Sequence, residues 1–249
     1  MLDPTPLPPP PPPALREIIA AGPAALFLDF DGTLVEIAST PDAIVVPEGL
    51  AANLVRLSAR LEGRLAIVSG RDLTDLAQHL GELPIACAGS HGASRRGADG
   101  TALDATALPL DSTVIAEVEA FARSSGARFE RKAHGAALHS RTAPELEGCS
   151  RVFMQGLAAR HGLAFKQGKF VAELARPGAD KGAAVHAFMA TPPFAGARPV
   201  FIGDDVTDDD GFAAVREHGG IAIAVGERPA PLAQFALADP AAVSDWLRA

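Results

Sequence analysis

Aspartate residues are concentrated in two short segments of the chain that could hold a metal ion and a nucleophile. The first is Asp29-Phe30-Asp31-Gly32-Thr33-Leu34, and the second is residues 203–210, which contain five aspartates. In the first, one carboxylate could act as a nucleophile and its neighbour as a general acid and base; the plainer interpretation is a turn after a strand. Five close carboxylates repel one another unless a cation or solvent intervenes, so the second segment is a divalent-metal site or a solvated helix start.

Two further segments carry groups suited to binding an anion. Ser69-Gly70-Arg71 places a hydroxyl just before a predicted helix, where backbone N–H groups favour an anion. Lys181 opens another predicted helix, where it could bridge a phosphate and a carboxylate or be an ordinary solvated lysine. Because the acidic segments contain neither His nor Cys, their oxygen ligands favour magnesium over zinc.

The apolar pattern around these segments predicts a parallel sheet with helices between its strands. Buried strands are predicted at 24–28, 65–68, 84–88, 199–202 and 221–225, and helices at 47–61, 72–80, 180–190, 232–237 and 241–247. Strands that alternate with helices are typical of parallel sheets, in which the carboxyl ends of the strands form the working edge. We therefore expect the four segments to meet at that edge.

The middle of the chain has a different order of elements. The pattern predicts helix, two strands, helix and two strands, which is typical of a small α+β layer structure. The predicted organisation is an α/β core at residues 20–109 and 177–249, with an inserted α+β cap at residues 110–176. Residues 1–19 include an unbroken proline run from Pro8 to Pro13 and are predicted to be a disordered tail.

The composition limits the classes of partner. The chain has 22 basic and 30 acidic residues and a formal net charge of −8, which disfavours nucleic acid and anionic membranes as principal partners. No apolar run has the length of a membrane span, and the N-terminus has no secretory signal pattern. With only Cys87 and Cys149, the chain also fits a reducing compartment. A soluble, cytoplasmic protein is expected.

In their order along the chain, the four segments resemble the motifs of the haloacid dehalogenase (HAD) superfamily of phosphatases. Additional segments resemble the trehalose-6-phosphate phosphatase family over about residues 20–245. They are Val68-Ser69-Gly70-Arg71, Ala88-Gly89-Ser90-His91-Gly92-Ala93, Glu130-Arg131-Lys132, His139-Ser140-Arg141, Gly168-Lys169, Glu173-Leu174-Ala175-Arg176-Pro177 and Gly203-Asp204-Asp205-Val206-Thr207-Asp208. In one place the chain departs from the family, because Ser140 stands where the family usually has Tyr.

The resemblance implies a HAD-like Rossmannoid core and hydrolysis of trehalose 6-phosphate to trehalose and phosphate, a step of trehalose biosynthesis. By resemblance, Asp29 attacks phosphorus to form an aspartyl-phosphate, and Asp31 protonates the leaving sugar oxygen and then activates water. Ser69 and Lys181 bind the phosphoryl oxygens. Magnesium is implied as the cofactor, held by Asp29, the backbone carbonyl of Asp31 and Asp204, with Asp205 and Asp208 in support.

The resemblance also implies a set of residues that contact the substrate. Alternation along the strands places Glu130 and Lys132 on one face, and His139 and Arg141 on one face of the next strand. Their mixed donors and acceptors suit a sugar, although a solvated sheet face has the same composition. His91 is interpreted either as a substrate contact or as a loop cap. The full predicted set is Gly70, Arg71, His91, Glu130, Lys132, His139, Arg141, Lys169 and Glu173.

Three alternatives to this function remain open at this point. The nearest is another HAD sugar-phosphate phosphatase, of the sucrose-phosphate or mannosyl-phosphoglycerate type, which would share the core residues and differ in the cap. A second is a non-catalytic protein that binds a metal or a sugar phosphate. A third is a scaffold recruited through Pro8–Pro13. The oligomeric state is not predicted.

Overall fold

The computed structural model of the chain contains one large and one small β-sheet. It describes residues 9–38, 43–103, 109–132, 134–168 and 170–249. The strands are β1 (Ala24–Leu28), β2 (Leu65–Val68), β3 (Ala86–Gly89), β4 (Ser94–Arg96), β5 (Arg128–Arg131), β6 (Gly135–His139), β7 (Ala164–Gly168), β8 (Val171–Ala175), β9 (Arg198–Gly203), β10 (Ile221–Val225) and β11 (Phe235–Leu237). The α-helices are α1 (Leu15–Ala20), α2 (Leu50–Arg60), α3 (Leu73–Leu80), α4 (Ser112–Ser125), α5 (Glu147–His161), α6 (Lys181–Met189), α7 (Asp209–Glu217) and α8 (Pro240–Arg248).

The large sheet has seven strands in the order β11-β10-β9-β1-β2-β3-β4. All neighbouring pairs are parallel except β3 and β4. The central strand β1 is buried on both faces: Leu26 and Leu28 pack with α2 and α8, whereas Phe27 packs against Phe188 of α6 and stacks on Phe194. The α/β class predicted from the continuous apolar runs is therefore confirmed.

The small sheet is antiparallel, with its strands in the order β5-β6-β8-β7. Along the chain, this region runs α4, β5, β6, α5, β7 and β8, which is the element order predicted for it. One face packs on α4 and α5 through an apolar cluster that includes Val118, Leu157 and Leu174. Across the sheet, Glu130 is opposite Ala137, and Ala137 is opposite Glu173. The alternation of side chains therefore places these two acidic residues on the face away from the helices.

The prediction of a disordered tail is wrong for residues 9–19. Leu15 is fully buried at the start of α1, and the Pro13 carbonyl accepts a hydrogen bond of 2.8 Å from Trp246 Nε1. The Pro10 carbonyl accepts another, of 3.0 Å, from the backbone N–H of Ala236 in β11. Proline lacks a backbone donor but keeps its carbonyl, so a proline segment can still pair with donors of an edge strand. Residues 1–8 lie outside the described part of the chain.

Other elements also differ from the sequence prediction. Residues 232–237, predicted as a helix, contain the strand β11, which pairs in parallel with β10. The short strand β4 was not predicted. Among the described residues, none of the helices combines the length and the apolar character that crossing a membrane requires.

Docking of α1 can be tested with one buried residue. We expect Leu15→Ala to lower the free energy of unfolding by about 2–5 kcal/mol, because the truncation leaves a cavity in the core. The neighbouring exposed residue gives the control: Arg16→Ala should change the free energy of unfolding by less than about 0.5 kcal/mol. Urea unfolding followed by circular dichroism measures both, and equal effects of the two substitutions would contradict the docked position of α1.

Candidate active site

Three adjacent strands at the centre of the large sheet place the acidic and hydroxyl groups together. Because β9, β1 and β2 are parallel neighbours, the residues that follow them lie at the same edge. Asp29 follows β1, Ser69 follows β2, and Asp204 follows β9. The meeting of these segments at one edge was predicted from the alternation of strands and helices, and the structure confirms it.

Lys181, the first residue of α6, forms the electrostatic centre of this edge. Its Nζ lies 2.9 Å from Asp29 Oδ1 and 2.6 Å from Asp208 Oδ1. All three side chains are buried. Burial lowers the pKa of Lys181, but the Asp208 and Asp29 carboxylates outweigh it and leave the pKa above its usual value. Lys181 is therefore a charged, fixed cation and not the solvated lysine that the sequence left open.

Three carboxylates at this edge form a group that suits a divalent cation. Asp29, Asp204 and Asp208 each offer an oxygen, and these oxygens lie within 4.8 Å of one another. Burial, followed by repulsion from Asp208, raises the pKa of Asp29 well above its usual value and that of Asp204 to about 7. Grouped oxygen ligands with excess negative charge fit a hard cation such as Mg²⁺, which would relieve that repulsion.

Two of the predicted metal residues have their carboxylates elsewhere. Among the described residues, the three-carboxylate group contains neither Asp31 nor Asp205. The Asp31 carboxylate is paired with Arg71. The backbone N–H of Asp205 donates to Asp208 Oδ2 at 2.8 Å, which orients Asp208 toward the site. The structure thus places Asp208 in the group itself and Asp205 beside it.

Gly32 allows the backbone of the first acidic segment to turn close to the side chain of Asp204. Its φ is +78°, a left-handed conformation that glycine adopts without strain. A Cβ added there would lie 2.1 Å from Asp204 Oδ2. Glycine at this position therefore lets the two acidic segments approach each other closely.

The loop after β2 is braced against the loop after β3. Ser69 Oγ accepts a 3.1 Å hydrogen bond from the backbone N–H of Arg71, and the Ser69 carbonyl accepts one of 2.9 Å from the backbone N–H of His91. A Cβ at Gly70 would lie 2.7 Å from His91 Cε1. Ser90 and His91 both have positive φ, at 51° and 56°, which is uncommon for residues with side chains. Close packing thus holds His91 in one position.

His91 connects the large sheet to a charged cluster on the small one. Its Nε2 lies 3.6 Å from Glu173 Oε2, and the same oxygen lies 2.5 Å from Lys132 Nζ. Burial alone would raise the pKa of Glu173, but Lys132 and His91 outweigh it and leave the pKa below its usual range. Burial lowers the pKa of His91. Three residues predicted from separate motifs are therefore brought together.

The other predicted substrate residues make contacts outside the cluster of Lys132, Glu173 and His91. His139 Nε2 is 2.5 Å from Glu130 Oε2, and Arg141 Nη1 donates to the Ala38 carbonyl at 2.8 Å. The hydrogen bond from His139 lowers the pKa of Glu130. Ser140 is buried, and its hydroxyl donates to the Phe170 carbonyl at 3.3 Å. Lys169 lies outside the described residues.

Comparison with known proteins decides the family. The model of a family described as trehalose-phosphatase matches residues 27–240. The chain belongs to the trehalose-phosphatase family. It is 42% identical, over 84% of its length and 80% of the relative, to a probable trehalose-phosphate phosphatase of Sinorhizobium fredii. It is 38% identical, over 90% of its length and 85% of the relative, to the trehalose-6-phosphate phosphatase of Escherichia coli.

Solved structures share the fold of this trehalose-phosphatase family member. A trehalose-6-phosphate phosphatase related protein superimposes with a TM-score of 0.70 at 27% identity, covering 90% of this chain and 95% of that one. The HAD-like fold is confirmed as well, because a phosphatase of that superfamily from Bacteroides thetaiotaomicron superimposes with a TM-score of 0.61 at 14% identity, covering 90% of this chain and 92% of that one.

Two polar residues at this edge of the sheet, Thr33 and Arg228, were given no role in the sequence analysis. Thr33 Oγ1 donates to Asp204 Oδ1 at 3.3 Å. Arg228, in the loop after β10, donates to the carbonyls of Asp204 and Asp205 at 3.1 and 2.9 Å. Arg228 comes shortly after a predicted parallel strand, and that position could have indicated this edge.

Proposed function

We propose that the protein is a magnesium-dependent phosphatase that hydrolyses trehalose 6-phosphate to trehalose and inorganic phosphate. The observation that carries the proposal is Lys181, a buried cation held between Asp29 and Asp208 beside a three-carboxylate group, in a member of the trehalose-phosphatase family. Phosphoryl transfer needs positioned oxygens and neutralised charge, and these residues provide both.

In the proposed reaction, Asp29 is the nucleophile. One of its carboxylate oxygens bonds to phosphorus as the bond from phosphorus to the sugar oxygen breaks, which leaves an aspartyl-phosphate on Asp29. Asp31 donates a proton to the departing sugar oxygen, and it then takes a proton from the water that attacks phosphorus and restores Asp29. Lys181 keeps Asp29 in place and offers an N–H to a phosphoryl oxygen, and the hydroxyl of Ser69 offers its O–H to another.

The proposed metal ligands are Asp29, the Asp31 carbonyl, Asp204 and Asp208. When bound, Mg²⁺ supplies positive charge that offsets the charge of the phosphoryl oxygens. Asp205 acts in support, since its backbone N–H orients Asp208. Arg228 holds the backbone of the same loop through two carbonyls, which keeps the acidic residues in position.

Recognition of the sugar is proposed for the small sheet and His91. Glu130, Lys132 and Glu173 present both acceptors and donors, which the hydroxyl groups of a disaccharide require. Their face of the sheet is away from α4 and α5, and Glu173 is within reach of His91 from the large sheet. The predicted contacts from Gly70, His139, Arg141 and Lys169 belong to the same proposal.

A substrate panel tests the function. Purified protein should release phosphate from trehalose 6-phosphate with a kcat/KM at least about tenfold above that for sucrose phosphate, mannosyl-phosphoglycerate or glucose 6-phosphate, because the cap contacts discriminate among sugars. Excess EDTA should abolish release, and added Mg²⁺ should restore it. A higher kcat/KM for another sugar phosphate would replace the substrate assignment, whereas no hydrolysis of any phosphate would favour a binding protein.

We also propose that the protein works in a reducing, cytoplasmic environment. Cys87 is buried and Cys149 is exposed, and both are free thiols. Disulfides persist in oxidising compartments, so two unpaired cysteines support this location.

A further inference from the structure

Arg71 makes a two-point ion pair with Asp31. Its Nε donates to Asp31 Oδ2 at 2.7 Å, and its Nη2 donates to Asp31 Oδ1 at 2.8 Å. Its third nitrogen, Nη1, donates to Asp75 Oδ2 at 2.7 Å. Each nitrogen of the guanidinium group is therefore bound to a carboxylate of the protein. The parallel pair of hydrogen bonds sets both the place and the plane of the Asp31 carboxylate.

Arg71 is itself held from several sides. Its backbone N–H donates to Ser69 Oγ, and its carbonyl accepts a 2.7 Å hydrogen bond from the backbone N–H of Ser90. The guanidinium carbon lies 5.8 Å from the centre of the Phe30 ring. Of the two charged side chains, Arg71 is 9% exposed and Asp31 is 34% exposed. The more buried partner is the fixed one, and the more exposed carboxylate is oriented by it.

The anchor of Arg71 lies on α3. Asp75 and His79 are four residues apart and therefore lie on one face of α3, and Arg71 lies in the segment just before the helix, four residues before Asp75. His79 Nε2 lies 3.4 Å from Asp75 Oδ1 and 3.3 Å from Arg71 Nη1. The start of the helix is capped by Asp72, whose Oδ1 accepts from the backbone N–H of Asp75 at 2.8 Å. A helix with a capped start thus supports the guanidinium group.

We propose that Arg71 is a positioning residue that sets the place and plane of the Asp31 carboxyl group, whose protonated form gives its proton to the leaving oxygen and becomes the carboxylate, and that Arg71 is not a contact to the substrate. This inference rests on the proposed function and assigns Arg71 a role different from the one its motif implied. Proton transfer depends on the angle and distance of the donor, and displacement by about 1 Å can cost about 10²-fold in rate. Lysine at this position keeps the charge but offers no planar fork.

Leaving groups of different basicity distinguish positioning from substrate binding. A sugar alkoxide is strongly basic and needs a proton as it departs, whereas 4-nitrophenolate departs without one. A defect in the orientation of Asp31 should therefore slow release of the sugar much more than release of 4-nitrophenolate. Loss of a contact to the phosphoryl group should slow both releases equally, because both substrates carry that group.

The experiment compares Arg71→Lys with the unsubstituted protein in single-turnover release of trehalose from trehalose 6-phosphate and of 4-nitrophenolate from 4-nitrophenyl phosphate, both with Mg²⁺. We expect trehalose release to fall at least about 30-fold and 4-nitrophenolate release to fall less than about threefold, with KM for trehalose 6-phosphate changed less than about threefold. Asp75→Asn, which keeps the Arg71–Asp31 pair but weakens its anchor, should show the same pattern with a smaller loss.

Arg64→Lys is the matched control. Arg64 is also largely buried and ion-paired, with Glu62, but it bonds to the Ala24 carbonyl at the opposite end of β1. The Arg64→Lys substitution should leave the release of trehalose and the release of 4-nitrophenolate unchanged. Equal losses with the two substrates, a rise in KM that accounts for the loss, or no loss in Arg71→Lys would overturn the role of Arg71. If the unsubstituted protein does not act on trehalose 6-phosphate, the proposed substrate fails, and the same comparison is made with the best sugar phosphate of the panel.

Discussion

Asp29→Asn should abolish phosphate release from trehalose 6-phosphate, with a loss of at least about 10⁴-fold in kcat, because an amide cannot form the proposed covalent intermediate. The fold should remain intact. Asparagine has nearly the same shape, and Lys181 keeps its second carboxylate partner, Asp208, at 2.6 Å. Burial and repulsion already raise the pKa of Asp29, so removal of its charge relieves part of that repulsion.

The acidic segment after β9 supplies the control for this substitution. Asp210 lies in the first turn of α7 and is exposed, outside the three-carboxylate group. Asp210→Asn should therefore keep kcat within about twofold of the unsubstituted value. Phosphate release and the thermal unfolding midpoint are measured for both variants. More than about 1% residual activity in Asp29→Asn would show that another group attacks phosphorus.

Lys181→Met should lower the free energy of unfolding by about 3–5 kcal/mol and also abolish turnover. Removing the cation leaves Asp29 and Asp208 buried against each other without compensation. Methionine preserves most of the side-chain volume, so the loss reflects charge more than packing. Urea unfolding in EDTA measures the effect without a bound metal ion.

A second substitution separates charge from chemistry in this cluster. In the Lys181→Met background, Asp208→Asn removes one of the two uncompensated charges. The double variant should recover at least about 1 kcal/mol of stability relative to Lys181→Met, but no activity. If Lys181→Met is as stable as the unsubstituted protein, the buried ion pairs do not form in solution.

The elements that could be predicted are those whose burial shows in the sequence as a run of consecutive apolar residues. Strands β1, β2 and β10 begin and end at the predicted residues, because a parallel strand buried on both faces is a continuous apolar run. The strand β11 was missed since its three residues carry little periodicity. Its position depends on pairing with β10 and on Gln234, whose Oε1 accepts from the backbone N–H of Ala222.

The site shows the same division between local and non-local information. The acidic motifs and Lys181 could be placed at one edge, because each follows a predicted strand or begins a predicted helix. The partner of each side chain could not be read from the motifs. Arg71 and Asp31 are 40 residues apart in the chain, and the position of His91 beside Glu173 depends on how the two sheets meet. Such pairings arise from packing in three dimensions.

The distribution of the Lys132–Glu173–His91 cluster affects the cost of moving the sheets apart. Lys132 and Glu173 both belong to the small sheet region, whereas His91 belongs to the large sheet. Separation of the sheets would break the longer contact, at 3.6 Å, and leave the ion pair at 2.5 Å intact. Because Glu173 keeps Lys132 as its partner, moving the sheets apart would not leave the Glu173 carboxylate without a counter-charge, and this part of the cost of separation is therefore small.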